Sequence, residues 1–385
     1  MPIFSNPDRH LVKSFPGPDG LVCVAEQEMQ LPSGKAMSRS IVQNDSYVLG
    51  GTLSRPDERR QALLPIFSHP DPRSVCFLGL ATGITAGGAL DVQAVKEVTA
   101  VELSQQVVDA AAEFFSDENG GLCDSSKASV VTEDARTWIL SQSEAYDVVI
   151  GDLFRPYSTG EGRLFTHEHF EAVKRSLKPG GLYCQWLPMY QLSALEFEVI
   201  LNTFSKTFPR MHIWRANIKS NVPILGLMGT RSGELDLSVI ASHCESARNN
   251  GIMDPPARHA ESVAMHYLGY LEHDDCRTEI TNDLDNAWVE LHAGLRHIQD
   301  PDGKSCIANK SWVAFETDMI KRIGGRTEAA ELAKWSASGQ FLSQWYYAAS
   351  IRDPRTGALQ KRAFDSLPQS LKDDENADWS YWPEM

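Results

Sequence analysis

Several features that would assign the protein to a simple class are missing from its 385 residues. No run of about 18 apolar residues occurs, so the sequence predicts no membrane-spanning helix. The first residues lack the basic segment and apolar stretch of a signal peptide, and we therefore expect a soluble, cytoplasmic protein. Acidic residues outnumber basic ones by 51 to 36. The net charge of −15 argues against a nucleic-acid partner, which would require a basic surface to neutralise phosphates.

Metal-binding and nucleophilic motifs are also scarce. The seven cysteines are scattered and never form C-x-x-C, which predicts reduced thiols rather than disulfides or a zinc site. His167 and His169 lie two positions apart at a predicted helix start with no third ligand evident, so we expect solvated or capping histidines and no metal. The sequence contains no Walker loop, nucleophile elbow or Ser-His-Asp arrangement.

The order of apolar runs and amphipathic stretches predicts an α/β fold with three units. Residues 1–73 contain short apolar runs separated by turns, which indicates a β-rich N-terminal lid. Over residues 74–229 strands alternate with helices, a pattern typical of a mainly parallel, Rossmann-like sheet. Residues 230–385 indicate a helical C-terminal extension, with helical patterns over 231–270 and 310–350.

The same periodicities predict the individual elements. The predicted strands of the central unit are 75–79, 97–102, 129–132, 146–151, 181–187, 211–215 and 222–228. The predicted helices are 57–67, 104–115, 135–142, 167–177 and 193–207. We expect one of the last two strands to be antiparallel.

The most informative segment begins where the first central strand ends. Gly79, Ala81, Thr82 and Gly83 belong to a glycine-rich turn that opens a helix, where backbone N–H groups can approach a ligand closely. Taken alone, such a turn is equally compatible with an ordinary strand-to-helix connection. The loop is not G-x-G-x-x-G, which disfavours a dinucleotide-dependent dehydrogenase.

Acids at the ends of the next two strands strengthen the prediction of a nucleoside site. Glu102, followed by Leu103, comes about twenty residues after the loop, where a carboxylate can accept hydrogen bonds from both ribose hydroxyls. Glu133, Asp134 and Ala135 follow the third strand, where an acid suits the adenine amino group. Together the signals predict an S-adenosylmethionine-type pocket at the carboxyl ends of parallel strands.

The fourth strand runs into Asp152, which we expect to face the reactive end of the bound nucleoside. A helix cap or loop acid is the alternative for this residue. Tyr157 lies shortly beyond and suits either stacking on a cationic substrate or a buried anchoring position.

These motifs resemble the spermidine synthase (polyamine aminopropyltransferase) family over about residues 74–229. The segments that carry the resemblance are Gly79–Gly88, Val101-Glu102, Glu133–Arg136, Tyr146–Asp152, Leu164–Phe170 and Leu177–Trp186. The last two are most similar to the bacterial spermidine-synthase-like proteins that are often fused to membrane segments. Asn282–Asp285 resembles a short motif near the end of those proteins.

The resemblance implies a transferase with a methyltransferase-like Rossmann fold behind a small β lid. The family moves an aminopropyl group from decarboxylated S-adenosylmethionine to an amine and releases methylthioadenosine. By this resemblance Glu102 would hold the ribose, Asp134 the adenine, and Asp152 the amine or the sulfonium side. Gln185 would approach the acceptor. The resemblance also suggests a homodimer, since spermidine synthases are commonly dimers or tetramers.

Two departures from the family pattern concern the acceptor. Arg155 stands where the family's D-x-x-D-P has its second acid, and Leu49 stands where the lid usually has Gln. An arginine would repel a polyamine and attract a carboxylate. We therefore hypothesise that the donor is S-adenosylmethionine itself, or that the acceptor is an amino acid or another anionic amine. A local salt bridge of Arg155 with Glu161 or another surface acid is the alternative.

Three functions remain open from the sequence. The preferred one is transfer of an aminopropyl or related three-carbon amine unit, from decarboxylated S-adenosylmethionine or S-adenosylmethionine, to a small-molecule amine or amino-acid acceptor. A methyltransferase or intramolecular cyclase on the same fold is the second, and methylation would yield S-adenosylhomocysteine. A nucleoside-binding protein without activity is the third, and Ala81 and Arg155 are the features that favour it.

Overall fold

The structure, a computed structural model, describes residues 4, 6–18, 20–31, 34–249, 259–327 and 330–373. Within these ranges the N-terminal part forms a four-stranded antiparallel sheet in the order β1-β2-β3-β4. Its strands are β1 (Arg9–Gly17), β2 (Gly20–Leu31), β3 (Gly34–Gln43) and β4 (Tyr47–Gly51). The predicted β-rich character of this region is confirmed.

A larger sheet occupies the centre of the molecule. Its strands are β5 (Ser74–Leu78), β6 (Glu97–Glu102), β7 (Ala128–Thr132), β8 (Tyr146–Gly151), β9 (Leu177–Pro188), β10 (Arg210–Arg215), β11 (Ile224–Thr230) and β12 (Tyr267–Glu272). Among the described residues they lie in the order β12-β10-β11-β9-β8-β5-β6-β7. Strands β5 to β9 are parallel, whereas β11 is antiparallel to both of its neighbours, β9 and β10. Of the two late strands that were predicted, β10 and β11, one is therefore antiparallel to the parallel strands, as expected, and β12 is antiparallel to its neighbour β10 as well.

Helices cover both faces of this sheet. Those of the first two units are α1 (Arg55–Phe67), α2 (Ile84–Leu90), α3 (Gln105–Phe114), α4 (Ser116–Asn119), α5 (Ala135–Leu140), α6 (His167–Ser176) and α7 (Ala194–Thr207). Those that follow are α8 (Ile240–Asn249), α9 (Ala260–Ala264), α10 (Trp288–Gln299), α11 (Lys310–Ile323), α12 (Ala330–Ser350), α13 (Thr356–Ser366) and α14 (Gln369–Lys372). In the described ranges no helix combines the length and apolarity needed to cross a bilayer.

The apolar run of β5 is continuous because both of its faces are covered. Phe77 packs in a cluster that includes residues of α1, α2 and α3. Cys76 and Leu78 point to the opposite face and pack in a cluster with residues of α6 and α7. A parallel strand that is buried on both sides has no exposed face, so its sequence does not alternate with polar residues. The resulting continuous apolar run is what identifies the strand in the sequence.

The helical prediction over 231–270 is wrong at its end. Helices α8 and α9 fall in this range, and residues 250–258 lie outside the described part of the chain. Tyr267–Glu272, however, is strand β12, which pairs with the edge of β10. A short, mainly apolar run fits a helix or a strand equally well, and here the available sheet edge decides between them.

A buried ion pair joins the late helices to the sheet. Arg215 at the end of β10 donates from its Nε to Glu316 of α11 at 2.5 Å, and both side chains are fully buried. The Nη1 of Arg215 also donates to the carbonyl of Met265 at 2.6 Å. Removing either partner would leave an uncompensated buried charge, so the pair keeps the C-terminal region in register with the sheet.

Candidate active site

The glycine-rich turn connects β5 to α2 and carries unusual backbone angles. Gly79 (φ 101°) and Gly83 (φ 78°) adopt conformations that favour glycine, and Ala81 (φ 50°) adopts a left-handed conformation despite its side chain. A Cβ on Gly79 would lie 3.2 Å from the Cβ of Asp152. The turn and the end of β8 therefore approach each other as closely as a glycine allows.

Glu102 is held at the end of β6 by backbone N–H groups. Its Oε2 accepts from Leu80 at 3.2 Å and Ala81 at 3.4 Å, and its Oε1 accepts from Ser104 at 3.0 Å. Burial raises the pKa of Glu102, and these hydrogen bonds oppose that shift. Leu103 beside it is 58% exposed, an apolar surface next to the carboxylate.

The acids after β7 lie at the surface. Asp134 caps α5 by accepting the N–H of Thr137 at 2.7 Å on its Oδ1. Glu133 is exposed, and its Oε1 accepts the N–H of Asp134 at 3.2 Å. Ala135 begins α5 and is half-buried. Asp134 thus has a structural role as a helix cap, and its assignment to the adenine stays a prediction.

Asp152 directly follows β8 and turns back toward the neighbouring strand. Its N–H donates to the carbonyl of Leu78 at 3.1 Å, and its Oδ1 accepts the N–H of Leu153 at 2.8 Å. Burial raises the pKa of Asp152 to about 6, and the charge of Glu102 adds to the shift. The carboxylates of Asp152 and Glu102 are therefore close enough to interact electrostatically.

Gln185 lies behind Asp152. It is fully buried, and its Nε2 donates to the carbonyls of Asp152 at 3.1 Å and Trp186 at 2.8 Å. Its Oε1 accepts from the hydroxyl of Tyr183 at 2.5 Å. With its amide engaged in this way, Gln185 fixes the backbone that carries Asp152, and its predicted approach to an acceptor remains untested.

Glu58 was missed by the sequence-based prediction. This residue of α1 accepts on its Oε2 from the hydroxyl of Thr82 at 2.8 Å, and on its Oε1 from Ser54 at 2.5 Å and the N–H of Gly51 at 3.2 Å. Burial raises the pKa of Glu58 to about 7, and the charge of Asp152 adds to the shift. The only local signal is an acid in the first helical turn, which says nothing about the distant glycine-rich loop.

Glu58, Glu102 and Asp152 lie near one another, since the charge of Asp152 adds to the raised pKa of Glu58 and the charge of Glu102 adds to that of Asp152; the region they share is called the cleft below. Each keeps accessible surface, and yet burial is the first cause of the raised pKa of each. Three acids in one region favour a ligand that carries positive charge.

Arg155 forms the local salt bridge that was the alternative in the sequence analysis. Its Nε lies 2.8 Å from Glu161 Oε1, its Nη2 also contacts that oxygen, and its backbone N–H donates to Oε2 at 2.7 Å. The Nη2 donates to Gln43 of β3 at 3.1 Å, and the guanidinium lies 4.7 Å from the ring centroid of Tyr47 in β4. Arg155 therefore joins the N-terminal sheet to the loop after β8.

Tyr157 stacks on a residue from the C-terminal region. Its ring lies 4.0 Å from that of His297 in α10, with 7° between the planes. From the same helix, Glu290 accepts the N–H of Gly160 at 2.9 Å. The half-buried position of Tyr157 is thus supported by a helix far away in the sequence.

The short motif at Asn282 has a structural explanation. Asn282 is fully buried, its carbonyl accepts the N–H of His167 at 2.9 Å, and its Oδ1 accepts the N–H of Val289 at 3.0 Å. It therefore ties the start of α6 to the start of α10.

The expectation of solvated histidines is wrong for His169. This side chain is buried, and burial, with the charge of Arg136, lowers its pKa to about 3. The backbone N–H of His169 bonds to the helix cap Thr166 at 3.4 Å, while its neighbour His167 is half-buried with its Nδ1 3.4 Å from the Thr207 hydroxyl. The first turn of α6 packs against the core, which is why His169 cannot reach water.

The fold belongs to the α/β class in which ligands bind at the carboxyl ends of parallel strands. Residues 60–224 match the family model of the spermine/spermidine synthase domain.

Named relatives match a similar length of the chain. Polyamine aminopropyltransferase 2 of Hyperthermus butylicus is 30% identical over 156 residues, which are 40% of this chain and 51% of the relative. Polyamine aminopropyltransferase of Aeropyrum pernix is 29% identical over 154 residues, 40% of this chain and 49% of the relative. The chain thus spans about half the length of these curated relatives.

Solved structures agree on the fold. The spermidine synthase from Thermotoga maritima superimposes with a TM-score of 0.51 and 18% identity, covering 60% of this chain and 77% of its own. A spermidine synthase in complex with the transition-state analogue AdoDATO gives a TM-score of 0.50 at the same identity and coverage. The predicted mainly parallel α/β fold with an N-terminal antiparallel sheet and C-terminal helices is confirmed.

Proposed function

We propose that the protein transfers an aminopropyl or related three-carbon amine unit from decarboxylated S-adenosylmethionine, or from S-adenosylmethionine, to an amine acceptor. The observation that carries this proposal is the pair Asp152 and Glu102, two interacting carboxylates at the ends of β8 and β6, the strands on either side of β5, within the segment that matches the family. The names of the relatives favour transfer of the alkyl chain over methyl transfer.

The residues of the cleft fit the chemical groups of such a donor. Glu102 is fixed by three N–H groups and suits the ribose hydroxyls, with Leu103 as an apolar neighbour for the base. Gly79, Ala81, Thr82 and Gly83 would border the chain that carries the sulfonium. Asp134, with Glu133 and Ala135, would face the adenine. The donor-side residues, Gly79–Gly83, Glu102 and Asp134, are called the donor end below.

The acceptor would approach Asp152 from the opposite side. The donor, when bound, supplies a carbon activated by the adjacent sulfonium. An amine attacks only in its neutral form, and a carboxylate at hydrogen-bond distance can orient it and take its proton. With a pKa of about 6, Asp152 is ionised at neutral pH and can do both. Arg155, Glu161, Tyr157, Tyr47 and Tyr190 lie on this side and are called the acceptor end.

A product analysis tests this proposal. The protein is incubated with each of the two donors and a mixture of amines and amino acids, and the products are identified by mass spectrometry. We expect methylthioadenosine together with an acceptor that has gained the transferred unit. S-adenosylhomocysteine would instead mean methyl transfer, and donor binding without any product would contradict an enzymatic role.

A further inference from the structure

The acceptor end contains an ion pair that the proposed transfer does not use. Arg155 and Glu161 meet through the guanidinium Nε, at 2.8 Å, and through the backbone N–H of Arg155, at 2.7 Å. Their side chains are only 18% and 26% exposed, so water replaces little of this contact. Each charge is therefore balanced by the other inside the site.

Phenol rings form the remaining walls of the acceptor end. Tyr47 packs under the guanidinium of Arg155, and its hydroxyl accepts from Gln191 at 3.2 Å. Burial raises the pKa of Tyr47 well above its ordinary value, and burial also raises the pKa of Tyr190, with the charge of Asp152 adding to it. Both phenols are thus neutral at physiological pH and supply uncharged aromatic surface.

Asp152 differs from Glu161 in having no cationic partner among the described residues. Asp152 lies between the two ends of the cleft, because its charge raises the pKa of Glu58 on the donor side and the pKa of Tyr190 on the acceptor side. The acceptor end as a whole therefore offers one uncompensated negative charge, at the point where the reacting nitrogen must lie.

We propose that the Arg155–Glu161 ion pair makes this site select an acceptor amine with a single positive charge and an uncharged body, an inference that rests on the proposed function. The one amine group binds at Asp152, and the body lies against Tyr47, Tyr157 and Tyr190. A second ammonium group would find Glu161 already paired, and a carboxylate would find Arg155 already paired. Diamines and amino acids then lose the interaction that would offset their desolvation.

The transfer itself needs no further reactant. The amine nitrogen forms a bond to the propyl carbon next to sulfur, and the carbon–sulfur bond breaks with its electron pair remaining on sulfur. The proton lost by the nitrogen passes to Asp152, and neutral methylthioadenosine leaves. The charge of the rest of the acceptor is unchanged, so selection depends on the binding of its body.

Three acceptors of equal chain length test the selection. Butylamine, putrescine and 4-aminobutyrate share a four-carbon chain and differ only in carrying at the far end a methyl group, an ammonium or a carboxylate. We expect kcat/KM for butylamine to exceed that for the other two by about 10-fold or more, the ratio that one charge-assisted contact is worth. The measurement is methylthioadenosine release by the full chain with whichever donor it accepts.

Variants of the pair should redirect the preference in opposite directions. Arg155→Gln leaves Glu161 unpaired and should raise the putrescine-to-butylamine ratio by about 10-fold. Glu161→Gln leaves Arg155 unpaired and should raise the 4-aminobutyrate-to-butylamine ratio by a similar factor. The double variant carries neither charge and should return to the preference of the unmodified protein, which serves as the matched control. Methylthioadenosine binding by calorimetry confirms that each variant is folded.

The outcomes separate the two proposals. If the unmodified protein releases methylthioadenosine but prefers putrescine or 4-aminobutyrate to butylamine, the inference is overturned and the proposed function stands. Ratios that stay unchanged in both single variants overturn it as well. If none of the three acceptors, nor any member of the broader amine mixture, yields methylthioadenosine with either donor, the proposed function fails and the inference fails with it.

Discussion

At the donor end Glu102 is held by backbone N–H groups of Leu80, Ala81 and Ser104, whereas at the acceptor end Arg155 is held by side chains from separate parts of the fold. Backbone donors follow from the turn itself and keep their place when neighbouring side chains change. Contacts between side chains depend on every partner. The donor end therefore suits a ligand common to a whole family, and the acceptor end can be altered by single substitutions.

Asp152 lies where the two ends meet, and its replacement should have the largest effect. Asp152→Asn keeps the size of the side chain but removes the base, so we expect methylthioadenosine release to fall by about 10²–10⁴-fold while donor binding persists. Because the carboxyl must be ionised to accept a proton, and its pKa is about 6, activity of the unmodified protein should fall more steeply below that pH. The variant should lack this steeper limb.

The control for this experiment is Asp109→Asn, which neutralises an exposed acid on α3 outside the site. It should retain both the activity and the pH profile. Activity of Asp152→Asn within a few-fold of the unmodified protein would mean that the two ends do not meet at this carboxylate.

Glu102 tests the donor end alone. Glu102→Gln should weaken methylthioadenosine binding by roughly 10–100-fold, because a charge-assisted hydrogen bond contributes about 1.5–3 kcal/mol. At saturating donor kcat should change little. Calorimetry gives the affinity, and Glu97→Gln at the other, exposed end of the same strand is the control. If Glu102→Gln and Glu97→Gln bind methylthioadenosine with equal affinity, Glu102 does not contact the donor.

The positions in the fold of the residues assigned to the donor end were the part that the sequence could predict, while their roles stay predictions. Buried parallel strands appear as continuous apolar runs, and the residues that follow them lie at one edge of the sheet. For this reason the amino-acid sequence alone was enough to assign Glu102, Asp134 and Asp152 to strand ends. Loop geometry was predicted less well, since Ala81 adopts a left-handed conformation that its residue type disfavours.

Apart from the local Arg155–Glu161 pair, which the sequence offered as an alternative, the contacts of the acceptor end could not be predicted in the same way, because they join distant segments. Gln43 and Arg155 are 112 positions apart, and no local pattern connects them. The same holds for Glu58, which reaches Thr82 from another element, and for the stack of Tyr157 on His297. Strand β12 was missed because its pairing depends on an edge that only the assembled sheet provides.

Glu58 borders the donor end and should couple stability to pH. Its folded-state pKa of about 7 lies above the ordinary value of 4.5, so the folded protein binds a proton that the unfolded chain releases. Stability conferred by the neutral form is present below about pH 4.5 and is lost as the pH rises to about 7. Glu58→Gln mimics the neutral form at every pH. The free energy of unfolding of this variant, relative to that of the unmodified protein, should therefore increase by about 1–3 kcal/mol between pH 5 and pH 8.

Denaturant unfolding at the two pH values measures this difference, with Glu97→Gln again as the control. A constant difference between Glu58→Gln and the unmodified protein over this range would show that the carboxyl titrates normally, and that the donor side of the cleft is more open to water than its burial indicates.

The smallest effect is expected where the C-terminal region supports the acceptor end. His297→Ala removes the ring that stacks on Tyr157 at 4.0 Å, and an aromatic pair contributes about 0.5–1.5 kcal/mol. We expect the KM for butylamine to rise by about 2–10-fold with kcat and methylthioadenosine affinity unchanged, because His297 positions a wall and touches no reacting atom. His297→Phe keeps a flat ring and should restore the KM.

The same helix offers a matched control for this substitution. His292 stacks on Trp288 at 3.9 Å in an equivalent pair within α10, so His292→Ala removes a stack of the same kind without touching Tyr157. If both alanine variants raise the KM equally, the effect comes from destabilising α10 as a whole. If His297→Phe fails to restore the KM, the imidazole contributes something other than a stacking surface to the acceptor end.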